Sequence, residues 1–404
     1  MNNVYDVGII GIGVAGAFAC YKIAKEYKDL NVVGFDIGRP PAKRRRQIEG
    51  YLGCLPNSDG KLYLNDINKV SELIGSKKTK LAHESFDKII NQIGNFKIVK
   101  DKPLSATTDK KLKKFGYDSY QNDYVQMYPK DIHLLSKYLS EDIRQSGNMK
   151  FNFDEEVQSV YKQKDIFTIV TSENNEFKCK KLIIAAGRSG WRWSKELYSN
   201  FGIIDNNDTA RFGIRVECNT NIMKDFSKSN CTILKGSELE IGPLSWFGTV
   251  IPEDHIDLAI SAFRSNENRW KSEKVSFSVI GNRFFPKKGF EQTDRIGKLT
   301  FVLSNDRIIK EKISLLTSGK SKISIIPEYD WLKETINDLS NIIPDISKAY
   351  FHVPTISPLP PKINIGNNLE SEIDGMFIVG ESAGISGILS AATMGLHVVN
   401  EITK

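Results

Sequence analysis

Paired cysteine is what this 404-residue chain most clearly lacks: Cys20, Cys54, Cys179, Cys218 and Cys231 are odd in number and far apart, with no CxxC pair. That disfavours a disulfide scaffold, a cysteine zinc site and a dithiol redox centre alike. Histidine is sparse too, and His83, His133, His255, His352 and His397 show no metal-ligand spacing, so no metal is expected. Only His352, beside Pro354 and close to the C-terminal motif, is worth testing. No apolar run approaches the roughly 18 residues needed to span a bilayer. The apolar stretch Val7–Ala24 lacks a basic leader and carries regular glycines, unlike a signal peptide. A soluble protein in the reducing cytoplasm is therefore expected. Internal repeats and low-complexity tracts are missing as well. So is charge of one sign: 56 basic and 49 acidic residues are mixed along most of the chain, for a net +7. A solvated basic surface is expected rather than a nucleic-acid face, which needs its cations clustered.

Glycine at defined spacing is present. Tyr5–Ile10 reads as a strand, Val14–Tyr27 as a helix and Asn31–Asp36 as a second strand, a βαβ unit begun at the first residues with little room for a preceding domain. Between strand and helix stands Gly11-Ile-Gly13-Val-Ala-Gly16. Its glycines permit a tight turn, close approach of a pyrophosphate and tight helix–strand packing, and the helix start turns unpaired N–H groups toward the phosphates. Asp36 closes the second strand, where a carboxylate accepts ribose hydroxyls. The reading is a dinucleotide site built from Gly11, Gly13, Val14, Ala15, Gly16, Asp36 and Ile37, with a 2′-phosphate disfavoured by the acid.

Further along, Gly38–Arg46 is a basic loop in which one of Arg44, Arg45 and Arg46 is expected at the pyrophosphate, with Arg45 as the choice. Val70–Lys114 is Lys-rich and helical in pattern, and Asp131–Ser146 is spaced for an amphipathic helix. Strands are expected at Glu156–Tyr161, Phe167–Thr171 and Cys179–Gly187. From Asp205 to Pro344 alternating segments, Phe212–Val216, Thr249–Ile251, Leu258–Ala262 and Val275–Val279, point to a largely antiparallel sheet. Strand, loop and helix return over Asp374–Lys404, with Met376–Val379 as the buried strand.

Two later segments carry a resemblance. Lys181-Leu-Ile-Ile-Ala-Ala186-Gly187-Arg188-Ser-Gly190 resembles the strand that passes near the cofactor in two-dinucleotide-fold flavoproteins, and Gly375-Met-Phe-Ile-Val-Gly380-Glu381-Ser-Ala-Gly384 resembles their second flavin motif. In that motif an acid meets the ribityl or pyrophosphate region, though the usual acid is Asp where this chain has Glu381. A helix opening at Gly387-Ile388 follows, its N–H groups aimed at the flavin O2/N1 edge in the resemblance. Gly50–Leu62, Ala186–Gly190, Phe212–Glu217 and Gly380–Gly387 are similar, in the same order, to blocks of a family of uncharacterised bacterial FAD-dependent dehydrogenases; Cys54, Leu55 and Pro56 depart from its small residues. The resemblance implies FAD as cofactor, with Ala186, Gly187, Gly380, Glu381, Gly387 and Ile388 near it and Val157 at the adenine.

By analogy Ser58 and Lys61 fall near flavin N5 or the substrate and are the catalytic candidates, against a reading of Asp59-Gly60 as turn chemistry. Arg188 and Arg215 are candidates for an anionic substrate, or satisfied structural arginines. Trp191-Arg-Trp193 resembles the WxW of flavin halogenases but lacks the following Ile-Pro, so a packing role is preferred. The expected fold class is α/β: a Rossmann-like FAD-binding domain with a central parallel sheet, 1–204 and 345–404, with a helical excursion near 70–125, and an inserted, largely antiparallel α+β substrate domain, 205–344. The expected function is an FAD-dependent oxidoreductase of the dehydrogenase or reductase type, moving a hydride between a small-molecule substrate and flavin N5. Its electron partner is expected to be transient, NAD(P)H or a protein, because no second GxGxxG follows a later strand. The alternatives are a flavin monooxygenase and a flavin-stabilised RNA-binding or tRNA-modifying protein.

Overall fold

Val4–Ile10 and Glu176–Ile184 run side by side in parallel in the computed structural model, Ile9 opposite Ile183 and Ile10 opposite Ile184. The structure describes residues 4–44, 48–205, 207, 209–226, 229–236, 238–255, 258–265, 272–283, 289–305, 307–358 and 361–404. Val32–Asp36 and then Met149–Phe153 extend the parallel set on one side, and Met376–Ile378 joins Glu176–Ile184 on the other. These strands are covered on both faces, so they carry unbroken apolar runs such as Leu182-Ile-Ile184 instead of alternation. The long strand Glu176–Ile184 divides its outer edge. Its first half pairs antiparallel with Ile166–Thr171, which pairs in turn with Val157–Gln163; its second half takes Met376–Ile378. The result is a 7-stranded sheet closed by residues from near the C-terminus.

The helix Val14–Glu26 is buried on nearly every face, from Val14 to Ala24, because the sheet lies on one side and the helices Pro129–Ser146 and Ile388–Ile402 on others. Each fully buried aliphatic or aromatic side chain in this core, Phe18 and Phe35 among them, stabilises the fold by roughly 1.5–3 kcal/mol relative to exposure.

The second sheet is 8-stranded and antiparallel, in the order Ile309–Lys312, Tyr350–Pro358, Ala210–Asn219, Lys274–Arg283, Leu239–Ile241, Thr232–Lys235, Asp118–Tyr120, with Ser245–Trp246 paired to Lys274–Arg283. Alternation makes it two-faced. Phe212, Ile214 and Val216 on one strand and Val275, Phe277 and Val279 on its neighbour turn into a core shared with the helix Trp331–Ile342. The other face of these strands looks toward the first sheet. A hairpin, Gly248–Asp254 with Ala259–Ser265, stands beside it.

The chain is therefore α/β, a parallel Rossmann-like sheet with a largely antiparallel second sheet. Strand pairing differs from the expected ranges in two places. Tyr350–Pro358 belongs to the second sheet through Ala210–Asn219, so the chain returns to the first sheet after Pro358. After the helices Ile67–Ile74, Ser76–Ile90 and Ala106–Lys114, the strand Asp118–Tyr120 edges the second sheet as well. Such short edge strands carry too little periodicity to be read locally. Among the described residues no helix is long and apolar enough to cross a membrane.

Candidate active site

Between the two sheets lies a cavity of about 640 Å³, within the range of small-molecule and cofactor sites. Gly11, Gly13, Val14 and Ala15 form part of its floor. Gly11 holds φ +94°, and a Cβ there would sit 2.3 Å from the Ala185 carbonyl oxygen, so the close approach of the chain at the ends of the two central strands demands glycine. Gly13 is different. A Cβ there would approach nothing nearer than Gly53 at 3.8 Å, so packing does not require glycine; the missing side chain keeps the cavity open. Gly16 does not line the cavity and instead packs the helix onto the turn, a Cβ there falling 2.0 Å from the Gly11 carbonyl oxygen.

The helix starting at Val14 has neither a capping side chain nor an acid in its first turn, and the same is true of the helix starting at Ile388. Gly387 and Ile388 also line the cavity. Two helix ends with unpaired N–H groups and positive dipole ends thus meet one space, an arrangement suited to the pyrophosphate and the electron-rich ring edge of a flavin dinucleotide.

Asp36, Ile37 and Val157 also line the cavity. Asp36 is buried, its Oδ2 accepting from Ile12 N at 2.8 Å and its Oδ1 from Gly38 N at 2.8 Å, while burial raises its pKa. The backbone of Gly50 bonds the same carboxylate, and a ribose would use the lone-pair capacity that these bonds leave. The carboxylate has a further role that the motif alone does not reveal: it ties the glycine turn to the end of its own strand.

Arg45 lies outside the described residues, and its neighbour Arg44 donates from Nη2 to the Gly53 carbonyl at 2.6 Å. Leu52 N donates to the Ile12 carbonyl at 2.9 Å, so the segment that follows is laid over the glycine turn. It brings Ser58 and Lys61 to the cavity wall, but both side chains are committed. Ser58 Oγ donates to Leu55 O and accepts from Gly60 N, the turn chemistry of its own loop. Lys61 Nζ donates to Asn230 Oδ1, to Leu244 O at 2.9 Å and to Ser245 Oγ at 3.3 Å, 3.6 Å from Asp59. Its three protons are used, and burial lowers its pKa against the pull of Asp59. Lys61 ties its own short strand, Lys61–Tyr63, to Asn230, Leu244 and Ser245 beside the second sheet; nothing in its bonding leaves a proton to give to a reacting atom.

Ala186, Gly187, Gly380 and Glu381 line the cavity too. Glu381 Oε1 accepts from Arg188 Nη2 at 3.0 Å, and that carboxylate is the main cause of the raised Arg188 pKa. Arg188 Nε is buried with no partner, an unused donor on the cavity wall. Cys54 also lines the cavity, with burial pushing its thiol up to about 12, an unreactive state. Trp193 lies at the margin and packs on the first core. His352 does not reach the cavity; its Nε2 is 3.7 Å from Glu217 Oε2, and burial lowers its pKa to about 4.

Asp66 is the residue sequence reasoning missed. It lines the cavity beside Gly387, and burial raises its carboxyl to about 6, with Lys69 opposing. Nothing local marks it, because its neighbour across the cavity comes from the far end of the chain.

No protein-family profile and no curated protein matches the chain. Solved structures that resemble it include glycine oxidase from Geobacillus kaustophilus, at 12% identity over 100% of this chain and 95% of that one, TM-score 0.49. Halogenase PltM is 14% identical over 99% of this chain and 68% of that one, TM-score 0.47. A flavoprotein/dehydrogenase from Cytophaga hutchinsonii is 12% identical over 99% and 78%, TM-score 0.45. Likeness at this level carries no argument about chemistry, so a functional reading must stand on the cavity's own residues.

Proposed function

We propose that the chain is an FAD-dependent oxidoreductase, a dehydrogenase or reductase that moves a hydride between a small-molecule substrate and flavin N5. The observation that carries the reading is the convergence of two uncapped helix N-termini, at Gly13 and Gly387, on one cavity between the sheets. The N–H groups from Gly13 to Ala15 would hold the pyrophosphate, Asp36 the ribose, and Ile37 and Val157 the adenine. Ala186, Gly187, Gly380, Glu381, Gly387 and Ile388 would hold the ribityl chain and the ring. When bound, FAD supplies a two-electron carrier that takes or gives hydride. The second sheet and its hairpin would exclude water and orient the substrate, which assigns cofactor binding to the first sheet and substrate binding to the strands from Ala210 to Pro358. Transient NAD(P)H or a protein would complete the electron transfer. The blocks described above favour the uncharacterised bacterial FAD-dependent dehydrogenases as the family. The free state of all five cysteines suits a reducing cytoplasm.

Purified protein should be yellow, and acid should release FAD. Anaerobic bleaching of the visible band by a panel of metabolites then identifies the electron donor. Protein that stays colourless when FAD is added sinks the reading. NAD(P)H oxidation that yields hydroxylated product would assign a monooxygenase, and salt-sensitive tRNA binding an RNA partner.

A further inference from the structure

The second sheet puts one cation on the cavity wall that the protein leaves largely unused. On Ala210–Asn219, Phe212, Ile214 and Val216 enter the second core, so Gly213 and Arg215 fall on the opposite face. Pro354 has no N–H for the ladder, and the register of this strand against Tyr350–Pro358 shifts there: Gly213 faces Thr355 while Arg215 faces His352. Arg215 and Thr355 consequently line the same cavity. Arg215 Nε donates to Ser261 O at 3.3 Å, and among the described residues the guanidinium makes no ion pair. Ser261 Oγ and Thr355 Oγ1 are 2.6 Å apart; one hydroxyl proton serves that bond and the other is available to the cavity. Ile260, Phe263, Ile280 and Ile356 supply apolar surface alongside.

From this face we infer that Arg215, with the Ser261–Thr355 hydroxyl pair, is a carboxylate-binding subsite, and that the substrate is a carboxylic acid with an apolar body. The remaining N–H groups of the guanidinium form a planar fork that matches a carboxylate, and the surroundings strengthen such a bond by excluding water. Burial lowers the Arg215 pKa, with Asp59 and Glu253 acting against it from a distance.

The inference rests on the reading that the cavity holds FAD and substrate together, and its test separates the two. FAD stoichiometry is measured first. The FAD-loaded protein is then titrated with phenylacetate and with phenylacetamide, by calorimetry and by the shift in flavin absorbance. The acid should bind about ten- to a hundredfold tighter than the amide. Arg215→Lys should keep part of that preference, and Arg215→Met should lose it with FAD stoichiometry unchanged. Equal binding of acid and amide by the wild-type protein, a comparison that needs no variant to fold, overturns the subsite. So does phenylacetate binding that survives Arg215→Met, loss of FAD in that variant, or no binding across acetate, phenylacetate and 4-phenylbutyrate. If the protein takes up no FAD the functional reading fails, while calorimetry of phenylacetate on the same protein still decides the subsite.

Discussion

The Asp66 carboxylate abuts the backbone of Gly387, so closely that a Cβ at Gly387 would fall 2.3 Å from Asp66 Oδ2. Gly387 also holds φ +115°, a conformation other residues rarely adopt. Gly387→Ala should therefore lower the stability of the apoprotein through two separable effects, backbone strain of about 1–3 kcal/mol and the clash with the carboxylate. Urea denaturation of Gly387→Ala, Asp66→Ala and the double variant checks this. The double variant should recover the part of the clash due to the carboxylate and keep the strain and the 2.9 Å approach to the Asp66 Cβ; strictly additive losses would refute the contact.

The same carboxyl makes stability depend on pH. Burial raises the Asp66 pKa from the ordinary carboxylate value to about 6, so the folded state holds a proton that the unfolded chain has released. Its stabilising contribution is complete below the unfolded pKa, near 4, and is lost as pH rises through 6. Asp66→Asn removes this dependence. Relative to wild type, the apo variant should gain Tm progressively from pH 4 to 6 and hold that gain above pH 6.

Lys61→Met should act on stability far more than on chemistry. The substitution leaves Asp59, Asn230 and the Leu244 carbonyl without their shared buried partner, a type of loss that costs roughly 3–5 kcal/mol. Once variant protein is loaded with FAD at low temperature, its rate of flavin reduction per bound FAD should stay within a few fold of wild type. A loss of several hundredfold in that rate, with Tm unchanged, would restore Lys61 as a catalytic group.

The contrast between Lys61 and Gly13 marks what was legible in the sequence. The βαβ unit could be read because its signals are local: apolar runs, a glycine turn and Asp36 all lie within one stretch of chain. The strands of the second sheet were legible through alternation, as at Phe212, Ile214 and Val216. Contacts made by distant segments were not. Lys61 meets Asn230 and Ser245, Asp66 meets Gly387, and a register shift opposite Pro354 sets Thr355 beside the strand that carries Arg215. Each joins segments far apart in sequence, for which no residue pattern exists until the fold is in hand.

Gly13 and Asp36 belong to one motif, yet their variants should fail differently. Gly13→Val adds a side chain whose Cβ meets the Gly53 backbone only at ordinary contact distance, 3.8 Å, and extends into the cavity. Its apo Tm should stay close to wild type while FAD affinity falls by about tenfold or more, the loss expected when about 1.4 kcal/mol of binding is removed. Asp36→Ala strips the acceptors from the buried N–H groups of Ile12 and Gly38, at roughly 1–3 kcal/mol each, so apo stability and FAD affinity should fall together. Asp36→Asn should rescue little, because its amide nitrogen would face one of those donors. Thermal melts of the apoproteins beside fluorescence titrations with FAD distinguish the two patterns. An apo Tm that drops in Gly13→Val, or stays fixed in Asp36→Ala, would contradict the division between an open cradle at Gly13 and a structural tie at Asp36.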